Sequence, residues 1–161
     1  MKTTVMMIAV AIGVCRPSLP LPKRITYANI IMTSTPGVVD PFVVVALVDH
    51  ESGWIETAIS KDGKDYGLGQ VRRKFIPKIE WAKLLDGEFN LRKTISILEM
   101  WRNICKVQVK VESTEVILAG YAGHSKPKQG VWCGIGKSGK ALPLLKSTKW
   151  ILARAAKLAP G

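Results

Sequence analysis

The chain has 161 residues, of which 47% are hydrophobic. It is therefore long and apolar enough for one domain with a core, and a disordered chain is excluded. Lys and Arg number 24 against 12 Asp and Glu, a formal net charge of +12. A protein this basic is expected to have a polyanionic partner, and nucleic acid, an anionic membrane surface and bacterial cell wall all qualify. Histidine is scarce and no CxxC pair occurs, so we expect no metal site.

The N-terminal stretch has the pattern of a targeting segment. A short basic start precedes the apolar run Val5 to Val14, and Arg16-Pro17 ends it. The run has the length of a signal-peptide core and is too short to span a membrane. We expect residues 1–16 to be a signal peptide or N-terminal anchor, residues 17–161 to form a single domain, and the protein to be exported, periplasmic or extracellular. The alternative is a buried helix or strand of the domain.

A helix with clear end signals follows. Asp40 is a good N-cap, Pro41 suits the first helical position, and Gly53 suits the position just past the end. On this helix Val44, Leu47, Val48 and Glu51 share one face.

Glu51 is the one carboxylate on that apolar face, in the last turn of the helix. Burial and the negative end of the helix dipole both disfavour its charged form and raise its pKa. A carboxyl group that is still protonated near neutral pH can serve as a general acid. The alternative is a solvated and inert Glu at a frayed helix end.

The segment after Glu51 is rich in glycine and carries aromatic and amide side chains. Gly63, Gly67 and Gly69 would let backbone approach a ligand closely. We predict that Trp54, Tyr66 and Gln70 stack on a sugar or form hydrogen bonds with it.

Three motifs of the chain carry a family resemblance. They are Glu51-Ser52-Gly53-Trp54, then Asp65-Tyr66-Gly67-Leu68-Gly69-Gln70-Val71, then Gly120-Tyr121-Ala122-Gly123. Together they resemble the soluble, goose-type-lysozyme-like class of lytic transglycosylases (the transglycosylase SLT domain, glycoside hydrolase family 23). The resemblance spans residues 39–123, and Ala122 stands where the family usually has Asn.

The resemblance implies a mainly α (α+β), lysozyme-like fold with a small β-hairpin or loop beside a cleft. It also implies cleavage of the β-1,4 bond between N-acetylmuramic acid and N-acetylglucosamine in peptidoglycan, giving 1,6-anhydromuramic ends. Glu51 would act as acid and then base, without cofactor or metal. The residues expected to bind the glycan are Ser52, Trp54, Tyr66, Gly67, Leu68, Gln70 and Tyr121.

Two other outcomes stay open. Asp65 would be the second carboxylate if the enzyme were a goose-type hydrolase, although an Asx-turn role in the loop is favoured. A non-catalytic wall-binding protein is the weaker alternative, based on Ala122. Nucleic-acid binding is not expected, because no recognised motif accompanies the dispersed lysines.

The remaining predictions concern the second half of the chain. Asn90 is expected to cap a helix running from Leu91 to about Val107, with Trp101 on its buried stripe. Cys105 and Cys133 are expected to form a disulfide in an oxidising compartment. Secretion or phage-injection machinery is considered as a partner, with carriage in a virion as the matching location. The sequence does not determine the oligomeric state.

Overall fold

The computed structural model describes residues 4–35 and 37–160. Within them the chain forms six α-helices and a two-stranded antiparallel sheet: α1 Val5–Cys15, α2 Leu21–Ser34, α3 Pro41–Ser52, β1 Asp65–Tyr66, β2 Val71–Arg72, α4 Gly87–Val109, α5 Thr114–Tyr121 and α6 Lys146–Leu158. Short 3-10 helices cover Arg73–Phe75, Lys78–Leu85 and Pro127–Gln129. The predicted mainly α fold with a small β-hairpin is confirmed.

Helix α3 lies at the centre of the fold. The carboxylate of Asp40 accepts a hydrogen bond from the backbone N–H of Phe42 at 2.8 Å, and Gly53 ends the helix in the left-handed conformation at φ 59°. Every residue from 42 to 48 is buried, because one core cluster surrounds α3 with side chains of the other five helices. Both predicted ends of α3 are confirmed. The helix therefore delivers Glu51 from the core to the edge of the domain.

Helix α1 contains the apolar N-terminal run. Ile8 and Ile12 are fully buried and belong to the core cluster that includes α2 and α3, whereas Met6, Val10 and Val14 face outward. The structure thus packs this run as a core helix, while its role as a signal peptide or anchor stays a prediction. Across residues 4–35 and 37–160, no helix combines the length and apolar character needed to cross a membrane.

Helix α4 begins earlier than the sequence pattern predicts. Its N-cap is Asp86, whose carboxylate accepts a hydrogen bond from the backbone N–H of Phe89 at 2.8 Å. The prediction that Asn90 caps this helix is wrong, because Asn90 lies inside the helix and is fully buried. Its side chain bonds to a neighbouring loop instead, as described below.

A disulfide joins Cys105 of α4 to Cys133, 28 residues further along the chain. Both cysteines are buried and pack against Val116 of α5. The bridge ties the long segment between α5 and α6 to the helical core.

Replacing both bridged cysteines, as Cys105→Ser with Cys133→Ser, is expected to lower the free energy of unfolding by about 3 kcal/mol. The physical reason is the larger entropy of the unfolded chain once a loop of this length is released. Urea unfolding under non-reducing conditions measures the effect. In dithiothreitol the wild-type protein should approach the stability of the variant; equal stabilities of wild type and variant without reductant would contradict the prediction. Cys15→Ser, at the free cysteine, is the control.

Candidate active site

An open cavity of about 530 Å³ lies at the C-terminal end of α3. Its volume falls in the range of ordinary ligand-binding clefts. Its walls come from the end of α3, the β-hairpin, α4, the end of α5 and the start of α6. The lining residues are His50, Glu51, Asp65, Gln70, Val71, Arg72, Lys74, Phe75, Ile97, Trp101, Gly120, Tyr121, Ala122, Gly123, Ser125 and Ser147.

Glu51 has the environment that the sequence predicts. Its side chain is 24% exposed and lines the cavity. Burial raises the pKa of the Glu51 carboxyl; the neighbouring His50 acts in the opposite direction, and the negative charge of Asp65 raises it further. The proton is therefore held to higher pH than in an exposed glutamate, which suits a general acid.

Asp65 is engaged in an ion pair across the hairpin. Asp65 pairs with Arg72 in the strand register, and the guanidinium Nε and Nη2 atoms lie 2.7 and 2.9 Å from the two carboxylate oxygens. This two-pronged geometry is the strong form of an arginine–carboxylate contact. Each oxygen of Asp65 thus accepts a hydrogen bond from Arg72, and the ion pair fixes this carboxylate on the cavity wall.

Gln70 and Tyr121 line the cleft and are fixed by the glycine-rich loop. The Tyr121 hydroxyl donates to the carbonyl of Gly69 at 2.6 Å, and the Gln70 amide donates to the carbonyl of Gly67 at 3.0 Å. Burial raises the pKa of the Tyr121 phenol, so it remains a neutral donor. Tyr121 therefore orients the loop, and it lines the same cavity as Glu51.

Two residues of the first motif point away from the cavity. Trp54 is only 2% exposed and packs against Tyr27 with ring centroids 5.8 Å apart. The Ser52 hydroxyl donates to the carbonyl of Val48 at 3.3 Å. The prediction that Trp54 contacts the sugar is corrected, because its side chain is buried in the fold. Ser52 is half-buried and outside the cavity lining, so its contact with the sugar stays a prediction.

Three further residues predicted to bind the sugar also lie behind the cleft. Leu68 is fully buried, and Tyr66 is 8% exposed with its hydroxyl donating to the carbonyl of Gly63 at 2.6 Å. Gly67 faces α4 and the preceding 3-10 helix. None of the three lines the cavity, so their positions do not support a direct contact with the sugar.

Gly67 and Gly69 of the loop face helix α4. A Cβ atom on Gly67 would collide with the side chain of Asn90, and one on Gly69 would collide with Thr94. Gly67 also has a positive φ of 72°. For Gly67 and Gly69 the prediction that glycine lets the backbone approach a ligand is therefore corrected, because their missing side chains let the loop approach a helix. Gly63 faces open space, and for it the prediction stays untested.

Asn90 holds this loop in place and was missed by the sequence analysis as a site residue. Its side-chain NH₂ donates to the carbonyls of Tyr66 and Leu84 at 2.7 and 2.8 Å, and its side-chain oxygen accepts from the N–H of Gly69 at 2.9 Å. A fully buried amide that satisfies three backbone groups is a strong structural restraint. A polar residue on the apolar face of a helix is the only sequence signal of this role.

Trp101 contributes to both the core and the cleft. The sequence assigns it to the buried stripe of α4, and it packs closely against Gly120, but it also lines the cavity. His50 is a further cavity residue that the sequence did not indicate, and Lys74, from a basic patch that could also be a solvated turn, lines the cavity too. Nothing in the local sequence of His50 distinguishes it from an ordinary surface residue.

No protein-family model matches the chain, and no curated protein and no solved structure matches it either. Within residues 4–35 and 37–160, no group of three or more His, Cys, Asp or Glu side chains lies close enough to hold a metal ion. Function is therefore inferred from the residues of the cleft.

Proposed function

We propose that the chain is a peptidoglycan lytic transglycosylase in which Glu51 is the single catalytic carboxylate. The observation that carries this proposal is the contrast between the two carboxylates that line the cavity. Glu51 is largely buried with a raised pKa, whereas both oxygens of Asp65 are bound by Arg72. One carboxylate is thus poised for proton transfer, and the other is held in an ion pair.

The first step uses Glu51 as an acid. The protonated carboxyl gives its proton to the glycosidic oxygen between N-acetylmuramic acid and N-acetylglucosamine, and the bond from that oxygen to the anomeric carbon breaks. The sugar's own acetamido oxygen can stabilise the positive charge at the anomeric carbon, as in other substrate-assisted glycosidases. A second protein carboxylate is not needed for this step.

The second step uses the same residue as a base. Glu51, now a carboxylate, takes the proton from the 6-hydroxyl of the muramic sugar, and that oxygen bonds to the anomeric carbon. The product is a 1,6-anhydro ring, no water is consumed, and Glu51 is protonated again. A raised pKa suits both steps, because it makes the carboxyl a stable acid and its conjugate carboxylate a better base.

The charge of the protein is consistent with this substrate. Lys74 lines the cavity beside the Arg72–Asp65 pair, and the chain carries a net charge of +12. Anionic polymers such as peptidoglycan are attracted to such a surface. Export, and association with a secretion or phage-injection machine, are proposals that fit a wall-degrading enzyme.

Asp65→Asn distinguishes the transglycosylase from a hydrolase. We expect the variant to release products with 1,6-anhydromuramic ends at a rate within about tenfold of wild type, since general-base catalysis by Asp65 would be worth about 10² or more. Mass spectrometry of products from purified peptidoglycan provides the measurement. The pH above which activity falls should also move down, because a negative charge that raises the pKa of Glu51 is removed.

Asp62→Asn is the matched control, since Asp62 is an exposed carboxylate of the same loop that pairs with Lys64. Loss of all product in Asp65→Asn, with a normal melting temperature and an active Asp62→Asn, would favour the hydrolase that uses Glu51 and Asp65 together. Products with reducing ends from the wild-type protein would favour it as well.

A further inference from the structure

His50 contacts the carboxylate of Glu51, its immediate neighbour in sequence. The imidazole Nδ1 lies 3.4 Å from Glu51 Oε1, and the two side chains are 32% and 24% exposed. Consecutive residues of a helix do not normally face each other. This contact between adjacent residues is therefore unusual, and the surroundings of the imidazole bear on it.

Helix α6 supplies part of these surroundings. The ring of Trp150 packs against the His50 ring, with centroids 5.3 Å apart and planes inclined by 53°. One turn further along α6, Arg154 forms an ion pair with Asp49 of α3, with Nε and Oδ2 2.9 Å apart. The ion pair fixes α6 against α3 beside His50, and the tilted aromatic contact restricts the imidazole.

We propose that His50, held in place by Trp150, is a positioning residue that controls the protonation of Glu51. This inference rests on the proposed function only in taking Glu51 to be the catalytic acid. An imidazolium beside a carboxylate favours the charged carboxylate, whereas a neutral imidazole lacks that Coulombic effect. The balance between acid and base forms of Glu51 would then depend on the charge of its neighbour.

The other charged groups around Glu51 have defined roles. Asp65 on β1 opposes His50, because its negative charge disfavours ionisation of Glu51. Arg72 on β2 is bound to Asp65, and Tyr121 at the end of α5 is held neutral. Lys74 also lines the cavity. On α6, the guanidinium of Arg154 is paired with Asp49. His50 is the basic side chain in direct contact with Glu51.

The test is an NMR titration of the ¹³C-labelled carboxyl of Glu51 in the full chain. His50→Phe keeps a ring against Trp150 but removes both nitrogens, so we expect the titration midpoint of Glu51 to rise by about one pH unit. His50→Arg keeps a positive charge and should hold the midpoint at or below the wild-type value. Trp150→Ala should raise the midpoint by less than His50→Phe does.

The second histidine of the chain offers a matched control. His124→Phe makes the same chemical change outside the cavity lining, and it should leave the midpoint of Glu51 unchanged. The pH above which peptidoglycan release falls should move in the same order as the midpoints.

An identical midpoint in wild type, His50→Phe and His50→Arg would overturn the proposal. The titration does not require turnover, so it separates this proposal from the proposed function. Shifted midpoints without any release from peptidoglycan would support the role of His50 and count against the transglycosylase. If His50→Phe fails to fold, an unchanged midpoint in Trp150→Ala overturns the proposal instead.

Discussion

Glu51→Gln is expected to reduce the release of glycan products from peptidoglycan by about 10³-fold or more. A positioned general acid typically contributes about 10²- to 10⁴-fold to the rate. The substitution preserves the size of the side chain but removes the proton that breaks the glycosidic bond. It also removes the base needed for ring closure. Because Glu51 lines the cavity and is not part of the core cluster, the melting temperature should remain close to that of wild type.

Glu56→Gln is the matched control for this experiment. Glu56 lies five residues further on and outside the cavity lining, where it accepts a hydrogen bond from Tyr27 and pairs with Lys23. Its replacement should lower stability modestly and leave product release within a few-fold of wild type. A Glu51→Gln protein that keeps more than about a tenth of wild-type activity would contradict the catalytic role of Glu51.

Asn90→Ala is expected to lower the free energy of unfolding by about 5 kcal/mol, since three buried backbone groups lose their partner at about 1–3 kcal/mol each. The groups are the carbonyls of Tyr66 and Leu84 and the N–H of Gly69. The same loop carries Gln70, and its Gly69 carbonyl accepts from Tyr121, so cleft geometry should loosen as well. Urea unfolding measures the first effect, and product release measures the second.

Asn103→Ala, at an exposed position of the same helix, provides the comparison. Exposed substitutions of this kind usually change stability by less than about 0.5 kcal/mol. Equal stabilities of Asn90→Ala and Asn103→Ala would contradict the claim that the three hydrogen bonds of Asn90 hold the loop on α4.

Helix α3 could be predicted from sequence because its signals are local. Asp40 and Pro41 define its start, Gly53 defines its end, and the apolar run between them fixes which face is buried. The inward position of Glu51 follows from the helical period alone. A glutamate at the end of a buried helix with a raised pKa was thus predictable without knowledge of the rest of the fold.

The environment of the loop could not be predicted, because it depends on contacts between distant parts of the chain. A glycine pattern indicates close approach but does not say whether the approaching group is a ligand or a helix. Asn90 bonds to Gly69 and Tyr66, which are 21 and 24 residues away. Trp54 likewise packs on Tyr27 of α2, so an aromatic residue in a sugar-binding pattern became part of the core.

The role of Asp65 could not be predicted either, although its partner Arg72 is only seven residues away. The sequence leaves open whether it is a second catalytic carboxylate. Its pairing with Arg72 depends on the register of the hairpin, which places the two residues directly opposite each other. Strand register is set by the fold and the turn together, and two-residue strands give almost no pattern from which to derive it.

Digestion of purified peptidoglycan in heavy-oxygen water tests the central claim most directly. If Glu51 closes the muramic ring without water, the released chains end in 1,6-anhydromuramic acid and carry no heavy oxygen at the anomeric carbon. Glu51→Gln should release none of these products. Reducing ends that carry one heavy oxygen each would show that water is the acceptor, and they would contradict the single-carboxylate transglycosylase.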